Sequence, residues 1–269
     1  TFETAPLPLL LCSRMQRWAA TLGDPPHLDG SGDATLLVTA HPDDECLFFT
    51  PSIACLSRGG PLHVLCLSTG NYDGLGHVRS LELRRSCGKL GLPAARVRVV
   101  DDAQLQDGPA TAWPAARVGA LVREELGRLG VGRVVTFDGW GVSGHANHRA
   151  VSEGVRHLLR REARAGRRLT VYELVSAGFV RKFMGGLDVV LTICEFLLTR
   201  GCSVVPGLRG LIRQRHARSF SCILLNPLAT HSAMCEHRSQ YVWYRVLFVI
   251  FSRLTFVNTL QQVYVDKSS

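Results

Sequence analysis

Two short segments concentrate the groups that could do chemistry. His41-Pro42-Asp43-Asp44-Glu45 puts an imidazole and three carboxylates within five consecutive residues, and Gly144-His145-Ala146-Asn147-His148 puts two imidazoles three apart. Crowded carboxylates repel one another, so the first cluster is costly unless positive charge offsets it. A divalent cation would do so, and imidazole with carboxylate is a suitable ligand pair. A helix N-terminus relieves part of the repulsion. A purely structural account makes Asp43 or Asp44 an N-cap and Glu45 part of an acidic first turn. That account uses one carboxylate and gives His41 no role. In the second segment, glycines at 139, 141 and 144 permit a tight backbone path. His145 and His148 follow at neighbouring positions of one helical face.

A hydrolytic zinc site takes three protein ligands and keeps one position for water. His41, Asp44 and His148 supply two imidazoles and a carboxylate. Asp43 is then the candidate general base, and His145 the candidate proton donor or oxyanion partner. The same ligand set describes non-haem iron oxygenases. The spare carboxylate and spare histidine favour hydrolysis, in which a water loses a proton and the departing amine gains one. Zn2+ is the expected ion, with another divalent cation as the alternative.

These segments need elements to position them. The apolar run 34–40 predicts a buried strand, followed by a helix over about 44–58 that Gly59-Gly60 ends. Further strands are expected at 62–68, 97–100, 133–137 and 169–175, and helices near 78–90, 115–129 and 147–165. Such alternation predicts an α/β fold, a Rossmann-like, mostly parallel sheet flanked by helices on both faces. Both motifs directly follow strands, where sheets of this kind bind ligands. Residues 1–33 read as an N-terminal extension and 34–269 as a single domain, within which 181–233 lacks a clean period and stays unassigned. No G-x-G-x-x-G follows the first strand, which argues against a dinucleotide-binding domain.

Composition narrows the class. The chain has 269 residues, 46% of them hydrophobic and 20% charged, values of a globular protein rather than a disordered one. Its nine cysteines form no C-x-x-C pair, which excludes a zinc ribbon and a disulfide scaffold. Several sit in apolar runs, as free thiols of a reducing compartment do. The net charge of +9 comes partly from arginines scattered along a helix-like stretch, such as Arg156, Arg160, Arg161 and Arg164. No nucleic-acid motif accompanies them, so a solvated helix face is expected and no nucleic-acid partner. No run reaches the roughly 18 uninterrupted apolar residues of a spanning helix. The stretch 241–256, aromatic and apolar with Arg245 and Arg253, suits a membrane surface contact, and suits an ordinary buried element as well.

With Ser68-Thr69-Gly70-Asn71 between them, the two motifs resemble the LmbE-like or PIG-L family of de-N-acetylases. Val134-Val135-Thr136-Phe137-Asp138, Gly141-Val142-Ser143-Gly144-His145, His237-Arg238-Ser239-Gln240 and Trp243-Tyr244-Arg245 are similar to its eukaryotic branch. The resemblance covers residues 35–180 and 234–260 and is weak between them. It implies a Rossmann-like fold, zinc on His41, Asp44 and His148, Asp43 as base, and His145 as acid or oxyanion stabiliser. It also implies a glycolipid substrate, N-acetylglucosaminyl-phosphatidylinositol, deacetylated in the second step of GPI-anchor biosynthesis at the cytoplasmic face of the endoplasmic reticulum membrane. Asn147 departs from the acidic residue of many bacterial relatives: it can hydrogen-bond beside His148 but cannot balance charge. Two other readings remain open, a de-N-acetylase of another N-acetylglucosamine conjugate and a non-catalytic Rossmann-like domain.

Overall fold

The run Thr35–Thr39 is buried at every position, as a strand must be when covered on both faces. It lies inside an eight-stranded sheet in a computed structural model that describes residues 19–23, 33–108, 111–201 and 219–264. In chain order the strands are β1 (Ala19–Leu22), β2 (Thr35–Thr39), β3 (Leu62–Cys66), β4 (Val97–Val99), β5 (Arg133–Phe137), β6 (Thr170–Leu174), β7 (Ser219–Leu224) and β8 (Val257–Val263). The helices are α1 (Asp44–Phe48), α2 (Thr50–Leu56), α3 (Gly76–Lys89), α4 (Ala115–Leu129), α5 (Gly141–Gly144), α6 (Ala146–Arg164), α7 (Phe179–Lys182), α8 (Leu187–Gly201), α9 (Pro227–Met234) and α10 (Trp243–Phe251).

Across the sheet the order is β1-β7-β8-β6-β5-β2-β3-β4. Neighbours from β6 through β4 run parallel, and β8, β7 and β1 extend the β6 edge by antiparallel pairing. The expected Rossmann-like layer is therefore present, with an antiparallel edge added. From β2 the chain steps to β3 and β4 in one direction, and from β5 to β6 in the other. Right-handed crossovers then put α1 to α3 on one face and α4 and α6 on the other. The order reverses between β2 and β5, and the crevice beyond the carboxyl ends of these two strands is the ligand position of such sheets. Both motifs leave the sheet there.

Local packing explains how closely the layers fit. A side chain at Gly154 of α6 would lie 2.3 Å from Val118 Cγ1 of α4, so glycine lets these two helices touch along their backbones.

Three expectations change. The helix expected over 44–58 is two helices, because Pro51 has no amide to continue the ladder and Phe49 leaves helical geometry at φ −119°. The sheet begins before residue 34: β1 pairs with β7 in register Ala19↔Leu224 to Leu22↔Ser221. The segment 181–233 is not irregular throughout, since it contains α8, β7 and α9, while residues 202–218 lie outside the described residues. Its periodicity is obscured because α8 buries Asp188 and exposes Leu187, Leu197 and Leu198 alongside Glu195 and other outward residues. The cysteines at 46, 55, 66, 87 and 222 are buried free thiols, as expected, and Cys12 and Cys202 lie outside the described residues.

Candidate active site

Leaving β2, the backbone turns sharply through His41 and Asp43. Asp44 Oδ2 accepts the amides of Ala40 at 2.9 Å and His41 at 2.8 Å, which pins the turn. Its other oxygen, Oδ1, lies 3.1 Å from His148 Nε2. His148 Nδ1 is 3.1 Å from the Gly141 carbonyl, and its ring stacks on Phe137 at a centroid distance of 4.2 Å. An imidazole held this way by a backbone carbonyl presents Nε2, the usual outer-shell arrangement of a metal-binding histidine. Gly141 itself, at φ +60°, leaves no room for a side chain, whose Cβ would sit 2.8 Å from that of His148.

His41 completes the group. Its Nδ1 is 3.9 Å from Asp44 Oδ2, and its Nε2 lies 3.0 Å from Asn147 Nδ2 and 3.4 Å from Asp107 Oδ1. The sequence thus brings His41, Asp44 and His148 together. His145 joins them, and ligand nitrogens of His41, His145 and His148 all lie within 4.8 Å of one another. Among these four residues His41, His145 and His148 are the three whose ligand atoms converge, whereas Asp44 reaches His148 through Oδ1 and His41 only at 3.9 Å through Oδ2, the oxygen that accepts the two amides. The donors fit a divalent cation of the zinc type: imidazoles and a carboxylate, each oriented by a second hydrogen bond. The neutral Asn147 is offset by Asp107, a residue that sequence reasoning missed. Its carboxyl, raised by burial, is brought back below the usual range by the His41 hydrogen bond and charge.

Adjacent Asp43 and Asp44 have opposite environments. Burial would raise Asp44, but His148 and His41 outweigh it and hold this carboxyl well below the usual range. Burial also raises Asp43, and the neighbouring Asp44 charge adds to this, so the pull of Arg245 and Arg79 is not enough to bring it down. Pairs of carboxylates pushed apart in this way divide into a permanent anion and a proton acceptor. Asp43 makes no N-cap hydrogen bond; its carboxylate instead faces Arg245, with Arg79 at 4.0 Å. His145 is lowered to about 4, chiefly by burial and then by the charges of His148 and His41. It is neutral at physiological pH. Its Nδ1 accepts the Asn147 amide at 3.3 Å, so the ring proton sits on Nε2, where it can be donated.

Among the described residues only Asp43 and Val142 have positive φ without being glycine, at 133° and 66°. One is in each of the two loops that carry the candidate site, and such strain persists only where surrounding contacts enforce it. The Val142 amide donates to Ser176 Oγ at 2.9 Å, and Ser176 is in turn fastened to Asp138. The Asp43 amide donates to Glu45 Oε2 at 3.1 Å. Glu45 Oε1 is held by Ser86 Oγ at 2.5 Å and His237 Nε2 at 2.7 Å, deep in the core. His237 thus reaches Asp43, the candidate base, through Glu45. His237→Ala is expected to reduce kcat about 10- to 100-fold. KM should change little, and His237→Gln should recover part of the loss, since an amide can still donate to Glu45. Steady-state kinetics on the two variants checks this. His237, Arg245 and Asp107 lie far along the chain from the motifs they serve, so spacing gave no signal for Asp107. The other two were visible only within the stretch resembling the eukaryotic branch.

Fold and site together define a class: an α/β protein with imidazole and carboxylate groups at the switch point of its sheet, able to hold one cation beside a base. Residues 36–159 match the PIG-L family, described as GlcNAc-PI de-N-acetylase. The N-acetylglucosaminyl-phosphatidylinositol de-N-acetylase of Bos taurus is 38% identical over 234 residues, covering 87% of this chain and 85% of that protein. The enzyme of the same name from Saccharomyces cerevisiae is 31% identical over 255 residues, covering 87% and 82%. The chain belongs to the PIG-L family of deacetylases. Among solved structures, the zinc-inhibited form of a teicoplanin deacetylase superposes with a TM-score of 0.56 at 12% identity, covering 88% of this chain and 100% of that one. A deacetylase of the A40926 pseudoaglycone superposes at 0.50 with 13% identity, covering 88% and 100%. At such identities these two support the fold alone.

Proposed function

We propose that this chain is a metal-dependent hydrolase that removes acetate from N-acetylglucosaminyl-phosphatidylinositol, the second step of GPI-anchor biosynthesis. The observation that carries the reading is the meeting of His41, Asp44 and His148 with a separate raised carboxylate, Asp43, next to them. The names of the relatives supply the substrate. His41, Asp44 and His148 would hold Zn2+, with another divalent cation as the alternative. A cation there supplies acidity to a water and polarises the acetamide carbonyl.

The side chains do the rest. Asp43 accepts the proton of the attacking water, as a base of raised pKa is suited to do. His145 donates its Nε2 proton as a hydrogen bond to the oxygen that gains negative charge. When the C–N bond breaks, the proton held by Asp43 passes to the nitrogen, giving a free amine and acetate.

A substrate of this kind sits in a membrane. We place the protein at the cytoplasmic face of the endoplasmic reticulum membrane, touching it through residues 241–256. Supporting this, α10 within that stretch exposes Trp243, Tyr244, Leu247, Ile250 and Phe251. Acetate release from N-acetylglucosaminyl-phosphatidylinositol tests the function. The expected result is one acetate per free amine formed, abolished by chelation and restored by Zn2+. Turnover that survives complete metal removal, or the absence of acetate, overturns it.

A further inference from the structure

Two surface helices turn a large part of their apolar surface outward. In α8 the polar residues Asp188 and Thr192 face the protein: Asp188 accepts Arg181 Nε at 2.6 Å, Arg253 Nε at 2.6 Å and Thr192 Oγ1 at 3.1 Å. Most of its apolar residues face outward, Leu187 at 69% exposure, Val190 at 58%, Leu197 at 61% and Leu198 at 66%, while Val189 is buried and Glu195 is exposed. In α10, Arg245 turns inward to Asp43 while Trp243 at 74% and Ile250 at 53% turn out. A helix facing water does the reverse, with its apolar stripe inward and its charges outward. These helices therefore present an apolar face that nothing in the described residues covers.

The two helices adjoin. Phe183, just after α7, meets Phe248 of α10 at a ring distance of 6.3 Å, and the backbone at Gly185 lies against the carbonyls of Ile250 and Phe251. At the near end α7 adds Phe179 and Val180, both about four-fifths exposed at 80% and 78%. The platform borders both catalytic loops. Arg245 pairs with Asp43 on one side, and Lys182 Nζ donates to the Val142 carbonyl at 3.3 Å on the other.

We propose that α7, α8 and α10 form one docking surface for the face of a lipid bilayer, seating the reaction centre beside the head groups. The proposal rests on the glycolipid reading above, and it adds 179–198 to the contact that the aromatic stretch alone suggested. Adjacency to the catalytic loops favours a bilayer over a protein partner, because a membrane-held head group has to reach that centre. Trp243 and Tyr244, with apolar bodies and polar tips, are also suited to the boundary between lipid and water. Among the described residues no helix is long and apolar enough to cross a membrane, so these helices lie in its surface. Among the described side chains of the platform, Arg181 is engaged by Asp188 and Glu195, Arg253 by Asp188 and Arg245 by Asp43. Binding therefore comes from apolar insertion, and depends little on salt or on anionic lipid.

The experiment uses the metal-loaded full chain, phosphatidylcholine vesicles carrying N-acetylglucosaminyl-phosphatidylinositol, and a water-soluble analogue with the acyl chains removed. Leu187→Glu with Leu197→Glu, and separately Ile250→Glu, are expected to lower vesicle binding in flotation by about 10-fold or more. Acetate release from vesicles should fall in parallel, with turnover of the soluble analogue and melting temperature unchanged. Unchanged vesicle binding overturns the proposal. So does a lower melting temperature with equal losses on both substrates, which would assign the patch to the chain's own packing. Loss of a dimer on the same substitutions would assign it to a second copy. Failure of the wild type on both substrates defeats the proposed reaction instead, and flotation then still tests the surface by itself.

Discussion

Asp43→Asn is expected to lower turnover by about 10²- to 10⁴-fold, the usual worth of a positioned general base, with bound metal unchanged. The amide keeps the shape of the carboxyl but cannot take a proton. The expectation follows from the division between two neighbours. Asp44 is committed twice over, to the amides of residues 40 and 41 and to His148, and is held well below the ordinary carboxylate range against the effect of burial. Asp43 has no part in that network and is displaced upward by burial. Single-turnover acetate release, with metal measured on the same sample, checks it. A variant that keeps more than about a tenth of wild-type turnover would move the base elsewhere, with His145 the nearest alternative.

His148→Ala should remove both metal and activity. The lost imidazole is one of two nitrogens in the proposed ligand set, and it also fixes the Asp44 oxygen opposite. Metal-assisted polarisation contributes several kcal/mol to such reactions, so turnover should drop by roughly 10³-fold or more. Stability should fall as well. The ring is buried and stacks on Phe137 at 4.2 Å, and its loss leaves a cavity and one fewer partner for a buried carboxylate, a cost of about 1–3 kcal/mol for the polar part alone. Metal analysis and thermal unfolding check both arms. Full metal occupancy in this variant would hand the ligand role to His145, which shares the same cluster.

Much of the parallel layer was legible because its strands are buried on both faces and read as continuous apolar runs. β2 and β5 appear within a residue or two of the runs at 34–40 and 133–137. The antiparallel edge was not legible. β1 is four residues long, and β7 follows the undescribed 202–218. The polar alternation of β8 (VNTLQQV) gives a weak signal beside the aromatic run preceding it. Helix α8 resisted assignment for a physical reason, since Leu187, Leu197 and Leu198 are exposed while Asp188 and Thr192 are buried, which departs from the pattern that identifies helices in water. The site was legible where its residues are close in sequence, as in 41–45 and 144–148. Its supports were less so: Asp107 beside His41 and Ser176 under Val142 gave no signal, and His237 stood out only within the stretch resembling the eukaryotic branch, its place behind Glu45 being set by the fold.

The central claim is that one cation held by His41, Asp44 and His148 makes this chain a deacetylase. Adding Zn2+ back to the metal-stripped protein while following acetate release from N-acetylglucosaminyl-phosphatidylinositol tests it most directly. Activity should start near zero, rise with bound zinc and level off at one equivalent per chain. Activity indifferent to bound metal, or protein that loads zinc and releases no acetate, would contradict it.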